Sequence, residues 1–146
     1  MAATRTAEVV WEGSLDEGGG TIESVGSGAV SGLDVTWASR TEEETQGKTS
    51  PEELIAAAHA SCFSMAFSKI LADAGSPPQQ LRVHAQSTFV PGEGMTTMEL
   101  DVRGRVPGMD EAAFRRAAED AKEDCPVSQA LKGNVDIRLT ASLEQG

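Results

Sequence analysis

The sequence predicts an α+β fold in which antiparallel β-sheets wrap around one long, buried central helix. The stretch from Ser50 to Leu71 is apolar on nearly every side, and a helix of that kind is buried on nearly all sides. Three later segments alternate between apolar and polar residues, which is typical of strands in antiparallel sheets with one wet face. A second helix is predicted between the last two of these segments, and it packs near the first.

The central helix has clear start and stop signals. Ser50 is a suitable N-cap, and Pro51 fits the first helical position, where the missing N–H is no loss. Glu53 stands three residues after Ser50, so the two residues predict a capping box. The segment Gly75–Pro78 then ends the helix.

The residues before this helix predict short strands joined by turns. Strands are expected over Glu8–Glu12, Thr21–Val25, Gly28–Val30 and Leu33–Ser39. The last of these alternates cleanly, whereas the middle two are weak and lie among glycines and serines. The polar, acidic run Arg40–Lys48 is predicted to be a loop.

The residues after the central helix have the clearest strand patterns. Alternation predicts strands over Leu81–Phe89, Met98–Val106 and Val135–Leu143. The turn residues Pro91–Gly94 predict a hairpin between the first two strands. The third strand follows only after a helical region.

Two helices are predicted in that region. The first runs from Glu111 to Asp124, with Asp110 as its N-cap. A short helix then follows and ends at Gly133. Because Pro126 suits the first position of this short helix, Cys125 is predicted to be its N-cap.

Length and charge limit the class of protein. The chain has 146 residues, which predicts a single domain over residues 1–146. It carries 12 basic and 23 acidic residues, and a net charge of -11 argues against nucleic acid and anionic membranes as partners. The first residues lack the apolar segment of a secretion signal, and the longest apolar run is short for a membrane span. We therefore expect a cytoplasmic protein.

The two cysteines are the first candidates for chemistry. Two cysteines cannot form a structural zinc site, which uses four close ligands, and in a reducing cytoplasm they are thiols at rest. Cys125 stands at a predicted helix N-terminus, where free N–H groups favour its thiolate. Cys62 lies in mid-helix and would need a donor or cation from elsewhere. The alternative is that both are ordinary buried cysteines.

Three further polar residues are candidates, each with a plain alternative. Because Glu53 serves the predicted cap, Glu52 is the spare carboxylate at the helix start, or it only favours the helix dipole. Arg40 is either a functional cation or a surface charge at the end of a strand. His59 lies one turn before Cys62 and could act as its base, although a histidine on an apolar helix is more often a core residue.

Two stretches of the sequence resemble the OsmC/Ohr family of thiol peroxidases. They are SPEELIAAAHASCFSMAFS, residues 50–68, and DCPVSQALKGNVDIRLT, residues 124–140. The motifs HASCFSM and CPVSQALK, together with the early Trp11–Gly13, are similar to the OsmC branch. The resemblance extends over essentially the whole chain and implies an OsmC-like fold.

The same resemblance implies roles for four residues. Cys62 would be the peroxidatic nucleophile, and Cys125 would resolve its sulfenic acid by forming an intramolecular disulfide. Arg40 would hold the reactive thiolate, and Glu52 would fix that arginine. The substrates implied are organic hydroperoxides, with hydrogen peroxide a weaker one, and the reductant is a lipoyl-type dithiol. The resemblance implies a role in oxidative or osmotic stress defence that needs no metal, flavin or haem.

Helix geometry adds the expectation of a homodimer. Glu52 and Cys62 are ten residues apart on one predicted helix, which is about 15 Å at about 1.5 Å per residue. An arginine anchored by Glu52 could hardly reach Cys62 of the same chain. We therefore expect an intertwined homodimer with antiparallel central helices, in which each of two sites takes residues from both chains.

The alternative function is a non-enzymatic thiol redox sensor or a small-molecule binding module on the same fold. Loss of one cysteine or of Arg40 would favour it, and the sequence retains all three residues. Thiol–disulfide exchange with other proteins would be expected to use a C-x-x-C motif, which this sequence lacks. Catalytic turnover of a peroxide distinguishes the peroxidase from both alternatives.

Overall fold

The computed structural model describes residues 2–144, and its backbone forms two compact units, Met1–Leu54 and Ile55–Gly146. The elements in chain order are β1 (Ala7–Glu12), β2 (Gly19–Val25), β3 (Leu33–Val35), α1 (Trp37–Thr41), α2 (Pro51–Asp73), β4 (Gln80–Val90), β5 (Gly94–Arg105), α3 (Glu111–Asp124), α4 (Pro126–Leu131) and β6 (Asp136–Leu143). The α+β class is confirmed. The single domain over residues 1–146 stays a prediction.

The N-terminal unit contains a three-stranded antiparallel sheet in the order β1-β2-β3. Its first two strands confirm the predictions over Glu8–Glu12 and Thr21–Val25. The strand expected over Gly28–Val30 is wrong, since these residues lie in the turn that follows β2. Gly28 has a φ of 78°, and its N–H donates to the Val25 carbonyl at 2.9 Å, which reverses the chain instead of extending it.

The strand expected over Leu33–Ser39 is only half correct, because β3 ends at Val35 and a short helix follows. Thr36 caps α1: its side chain accepts from the Ser39 N–H at 3.0 Å, and the Ser39 hydroxyl accepts from the Thr36 N–H at 2.9 Å. These local hydrogen bonds override the alternating pattern. As a result, Arg40 lies in α1 and not in a loop after a strand.

Helix α2 begins where the sequence predicts. The Ser50 hydroxyl accepts from the Glu53 N–H at 3.2 Å. The other half of the expected capping box is replaced, since the Glu53 carboxylate accepts from the Thr49 hydroxyl at 2.8 Å. Beyond the last turn Gly75 has a φ of 86°, and the Ser76 N–H donates back to a helix carbonyl, as is typical of a C-terminal cap.

The prediction that α2 is buried on nearly all sides is wrong for the single chain. One stripe of the helix is buried, with residues four apart: His59, Phe63, Phe67 and Leu71. A second stripe is exposed, and on it Met65 exposes 72% of its surface. The elements packed against the helix cover one face, and the apolar residues elsewhere on its surface face outward.

By length and composition alone, α2 is apolar enough to cross a membrane. The sequence predicted that the longest apolar run is too short for a membrane span, and this holds for an uninterrupted run. Polar residues such as His59 and Ser64 break the run in α2, but the mean hydropathy of the helix stays high. In its 18-residue apolar window 22% of the residues are buried. The core helix of a soluble protein passes the same test.

The C-terminal unit contains a second three-stranded sheet in the order β4-β5-β6. Strands β4 and β5 form the predicted antiparallel hairpin. Strands β5 and β6 are parallel, so the expectation of purely antiparallel sheets is wrong for this pair. Because α3 and α4 lie between them, the chain crosses over and enters β6 in the direction of β5. Partly buried and exposed residues alternate along β4 and β6, which confirms the predicted wet face.

The core of this unit is built around aromatic rings from α2 and α3. The Phe67 ring lies 5.5 Å from that of Phe63 and 5.0 Å from that of Phe114. Phe114 belongs to the predicted stripe of α3, whose N-cap Asp110 accepts from the Ala113 N–H at 2.8 Å. Gly104 in β5 leaves room for the Phe114 ring, since a Cβ there would lie 2.6 Å from it. This packing fixes α2 and α3 within the unit that carries both cysteines.

Candidate active site

Cys125 occupies the junction between α3 and α4. Its N–H donates to the Ala121 carbonyl at 2.9 Å and ends α3, while its carbonyl accepts from the Gln129 N–H at 3.0 Å and starts α4. It is the N-cap of α4, as predicted, with Pro126 as the first helical residue and with a fully buried side chain. Because proline has no N–H, the first free N–H of α4 belongs to Val127.

That N–H is the donor Cys62 was expected to need. The thiol of Cys62, in the middle of α2, lies close enough to the Val127 N–H and to the Cys125 thiol for both to affect its pKa. Both cysteines are free thiols, with Cys125 buried and Cys62 partly exposed. The structure therefore brings the two predicted cysteines together, and Cys62 is the more exposed of the two.

Opposing effects set the pKa of Cys62 within this unit. Burial raises the pKa of the thiol, the Val127 hydrogen bond lowers it, and the neighbouring Cys125 raises it again. The net pKa lies above the ordinary value for cysteine. A cation beside Cys62 would lower this pKa and favour the thiolate.

A groove of about 500 Å³ opens beside Cys62. Its apolar lining comes from Met65, Ala66, Ile70 and Pro126, and its charged lining from Lys69, Asp73 and Asp124. Of the large apolar side chains that follow Cys62 in α2, Met65 lines this groove. Phe63 and Phe67 do not, because both are completely buried in the core. The groove can accept an apolar group next to the Cys62 thiol.

Arg40 and Glu52 form a close ion pair in the N-terminal unit. The Arg40 Nε lies 3.1 Å from both carboxylate oxygens of Glu52, and Nη2 lies 2.8 Å from Oε1. Glu52 exposes 5% of its surface, so a charged carboxylate there is stabilised by this forked contact. Arg40 therefore pairs with Glu52 and is more than a surface charge beside the acidic run that follows it. The Arg40 guanidinium also lies 5.9 Å from the centre of the Trp37 ring.

His59 is a packed core residue, and the alternative of a base for Cys62 is wrong. Its Nε2 lies 2.7 Å from the Ser128 hydroxyl, and both residues are buried. Burial lowers the pKa of the imidazole, which keeps it neutral at pH 7. Among the described residues its Nδ1 has no hydrogen-bond partner, so neither ring nitrogen bonds to Cys62.

Sequence reasoning missed Val127 and Ser128 as site residues. The signal for Val127 was present, because a proline at the first helical position leaves the next residue with the first free N–H. No pattern identified Ser128 as the partner of His59, since the two residues are 69 positions apart.

Known proteins resemble this chain in sequence. Residues 43–140 match the family model of OsmC-like proteins. The chain is 36% identical to Peroxiredoxin OsmC of Escherichia coli (strain K12) over 140 residues, which cover 94% of this chain and 96% of that protein. It is 33% identical to the Organic hydroperoxide resistance protein of Xanthomonas axonopodis pv. citri over 93 residues, which cover 63% of this chain and 66% of that protein.

Solved structures share the fold. An organic hydroperoxide resistance protein from Elizabethkingia anophelis has a TM-score of 0.71 at 22% identity, covering 99% of this chain and 100% of its own. An organic hydroperoxide resistance protein OsmC from Legionella pneumophila has a TM-score of 0.69 at 24% identity, covering 97% of this chain and 99% of its own. With the family match over residues 43–140 and 36% identity along 94% of its length, the chain belongs to the OsmC family.

Proposed function

We propose that this protein is a thiol-dependent peroxidase that reduces organic hydroperoxides, with Cys62 as nucleophile and Cys125 as resolving cysteine. The observation that carries the proposal is the contact between the Cys62 thiol and the Cys125 thiol at the start of α4. A peroxidatic cysteine needs a donor for its thiolate and a second thiol within reach of its sulfenic acid. The Val127 N–H and Cys125 supply these two requirements.

The reaction follows from thiol chemistry. The Cys62 thiolate attacks the outer oxygen of the hydroperoxide, the O–O bond breaks, and the alkoxide takes a proton and leaves as an alcohol. Cys62 is now a sulfenic acid. The Cys125 sulfur attacks the Cys62 sulfur, an S–S bond forms, and the hydroxyl leaves as water with the Cys125 proton. An external dithiol then reduces the disulfide by two exchange steps and becomes a disulfide itself.

The groove beside Cys62 supports organic hydroperoxides as the preferred substrates. Met65, Ala66 and Ile70 offer apolar surface to the organic part of such a substrate. Hydrogen peroxide has no such part, so it gains nothing from these contacts and reacts more weakly. The names of the relatives, Peroxiredoxin OsmC and Organic hydroperoxide resistance protein, agree with this substrate class.

The reductant we propose is a lipoyl-type dithiol, because a slender chain ending in two thiols can enter the same groove and reach the disulfide. We place this soluble protein in the cytoplasm, where reducing conditions keep both thiols free at rest. There it would act in defence against oxidative or osmotic stress.

We further propose that Arg40 is the cation that lowers the pKa of Cys62, and that it comes from a second copy of the chain. Glu52, its partner, lies ten residues before Cys62 on α2, which is about 15 Å along a helix. The exposed stripe of α2 supports a homodimer, since a second α2 running antiparallel would cover it. This stripe consists of Leu54, Ala57, Ala58, Ser61 and Met65.

Mixed dimers test this arrangement directly. Arg40→Met and Cys62→Ser homodimers should each be nearly inactive. Co-expressed at equal levels they should recover about a quarter of wild-type activity, because half of the dimers are mixed and each has one intact site. Recovery of no activity would show that Arg40 and Cys62 act within one chain. As a check of the interface, Ala58→Glu should shift the sedimentation coefficient of the protein to that of a monomer. Ala112→Glu, on the exposed face of α3, should leave the sedimentation coefficient unchanged.

Turnover with dihydrolipoamide tests the peroxidase itself. Wild type should consume many equivalents of cumene hydroperoxide, and fewer of hydrogen peroxide, while Cys62→Ser should consume neither. Cys125→Ser should react once and then over-oxidise at Cys62, because no second thiol protects the sulfenic acid. A wild-type protein whose thiols oxidise stoichiometrically but never turn over with any dithiol would instead be a redox sensor.

A further inference from the structure

We propose that His59 and Ser128 are positioning residues that hold the start of α4 against α2 and so control how fast Cys125 closes on Cys62. This inference rests on the proposed roles of the two cysteines. It assigns a role to a buried polar pair that the peroxidase chemistry itself does not use.

The pair joins the two helices that carry Val127 and the reacting thiols. His59 lies three residues before Cys62 on α2, and Ser128 lies three residues after Cys125 and directly after Val127 on α4. The His59 Nε2 to Ser128 Oγ distance of 2.7 Å joins the two helices within one turn of both cysteines. A shift of α4 along α2 must therefore stretch this bond as it moves Val127 and Cys125.

The environment makes the bond effective as a link. His59 exposes 0% and Ser128 4% of its surface, so water cannot readily replace either partner. A hydrogen bond in such a dry environment is stronger than one at the surface, and breaking it leaves two buried polar groups unpaired. Helix α4 has only six residues, so its own backbone gives it little independent stability.

The same geometry excludes a role for His59 in proton transfer. Its Nε2 is engaged by Ser128, and its Nδ1 has no partner among the described residues. It therefore makes no hydrogen bond to the thiol of Cys62, and its complete burial keeps it away from a substrate. Its effect reaches the chemistry only through the position of α4.

A single-turnover experiment tests the proposal. Reduced protein is mixed with one equivalent of cumene hydroperoxide, and sulfenic acid, disulfide and over-oxidised Cys62 are followed by acid quenching, dimedone trapping and mass spectrometry. In Ser128→Ala we expect disulfide closure to slow about ten- to a hundredfold, as for a misplaced reacting group, with a matching rise in over-oxidised Cys62. We also expect the pKa of Cys62 to rise, because the Val127 N–H is less well placed.

Conservative and combined variants separate positioning from a general loss of packing. Ser128→Thr keeps a hydroxyl and His59→Gln keeps a donor, so both should close their disulfides within a few-fold of the wild-type rate. His59→Leu should slow closure as Ser128→Ala does. The double variant His59→Leu/Ser128→Ala should be no slower than either single variant, because the two residues act through one bond.

Two control variants complete the design. Phe67→Leu removes core packing without touching the pair, so it should lower the unfolding midpoint but leave the closure rate and the pKa of Cys62 unchanged. Ser64→Ala removes another side-chain hydrogen bond of α2, the one to the Ala60 carbonyl at 2.7 Å, and should also close normally. Wild-type closure in Ser128→Ala with an unchanged pKa of Cys62 would overturn the inference. Failure of the wild type to form any sulfenic acid at Cys62 would instead overturn the proposed function, and this inference with it.

Discussion

The backbone N–H of Val127 lies beside the thiol of Cys62 and lowers its pKa, although the two residues lie on different helices. This contact joins the middle of α2, where a thiol receives little help from its own helix, to the first free N–H of α4. It also fixes Cys125, two residues earlier, beside the same thiol. The reactivity of Cys62 therefore depends on how α4 begins.

Removal of this N–H should weaken Cys62 as a nucleophile. Val127→Pro deletes the donor at a position where a second proline is tolerated, since first-turn N–H groups have no partner within the helix. A hydrogen bond to a charged group contributes about 1.5–3 kcal/mol, so the pKa of Cys62 should rise by about one to two units. Iodoacetamide alkylation of Cys62 against pH measures the shift. Val127→Ala, which keeps the N–H, should leave it within a few tenths of a unit, and equal shifts in both variants would contradict the role of the N–H.

Loss of the Arg40 guanidinium should also raise the pKa of Cys62. Within its own unit that pKa is already raised by burial, so the thiolate fraction at pH 7 depends on the cation we propose. In Arg40→Met the pH profile of peroxide consumption should move upward by about one to three units, with activity at pH 7 falling by at least about tenfold. Stopped-flow rates between pH 5 and pH 10 measure it. The exposed Arg82→Met serves as the control, and an unshifted profile in Arg40→Met would rule out Arg40 as that cation.

Acid should destabilise the protein through His59. Burial lowers the pKa of this imidazole in the folded state. As the pH falls, the unfolded chain therefore protonates His59 first, near its ordinary pKa of 6.5. Above that pH His59 is neutral in both the folded and the unfolded state, so it does not change the free energy of unfolding. Below it the unfolded state binds more protons, and the free energy of unfolding falls by up to about 1.4 kcal/mol per pH unit until the folded pKa is reached.

Urea unfolding between pH 5 and pH 8 measures this effect. His59→Gln should flatten the slope below pH 6.5, because glutamine does not titrate. A slope in His59→Gln identical to that of the wild type would show that His59 carries none of the pH dependence.

The core should not tolerate a methyl group at position 104. The Cβ of Gly104→Ala would lie 2.6 Å from the Phe114 ring, so the ring or β5 must move. Overpacking of this kind costs about 1–3 kcal/mol in the free energy of unfolding, which thermal or urea denaturation detects. Gly19→Ala is the matched control, since a Cβ there has its nearest neighbours at 3.8 Å. A neutral Gly104→Ala would mean that the ring moves aside freely.

The sequence predicted the elements whose signals are local and strong. The cap at Ser50, the β4–β5 hairpin and the N-cap role of Cys125 are all confirmed. It failed where a local hydrogen bond outcompeted a periodic pattern, as in the Thr36 cap of α1. Strand direction is also not encoded in alternation, since β6 pairs with β5 in parallel and still has one wet face.

The site was predicted unevenly for a related reason. The motifs that resemble the family pointed to Cys62 and Cys125, whereas Val127 acts through its backbone N–H, and its only sequence signal is the proline before it. The pairing of His59 with Ser128 depends on how α4 packs on α2, which no short-range pattern specifies. Contacts between distant parts of the chain are therefore where the structure adds most.

The most direct test of the account is the product of one equivalent of cumene hydroperoxide with reduced wild-type protein. Mass spectrometry of non-reduced peptides should find a Cys62–Cys125 disulfide within one chain as the main product, reversed by dihydrolipoamide. The contradicting result is a protein in which Cys125 stays free and alkylatable while Cys62 either remains a thiol or accumulates as sulfinic acid.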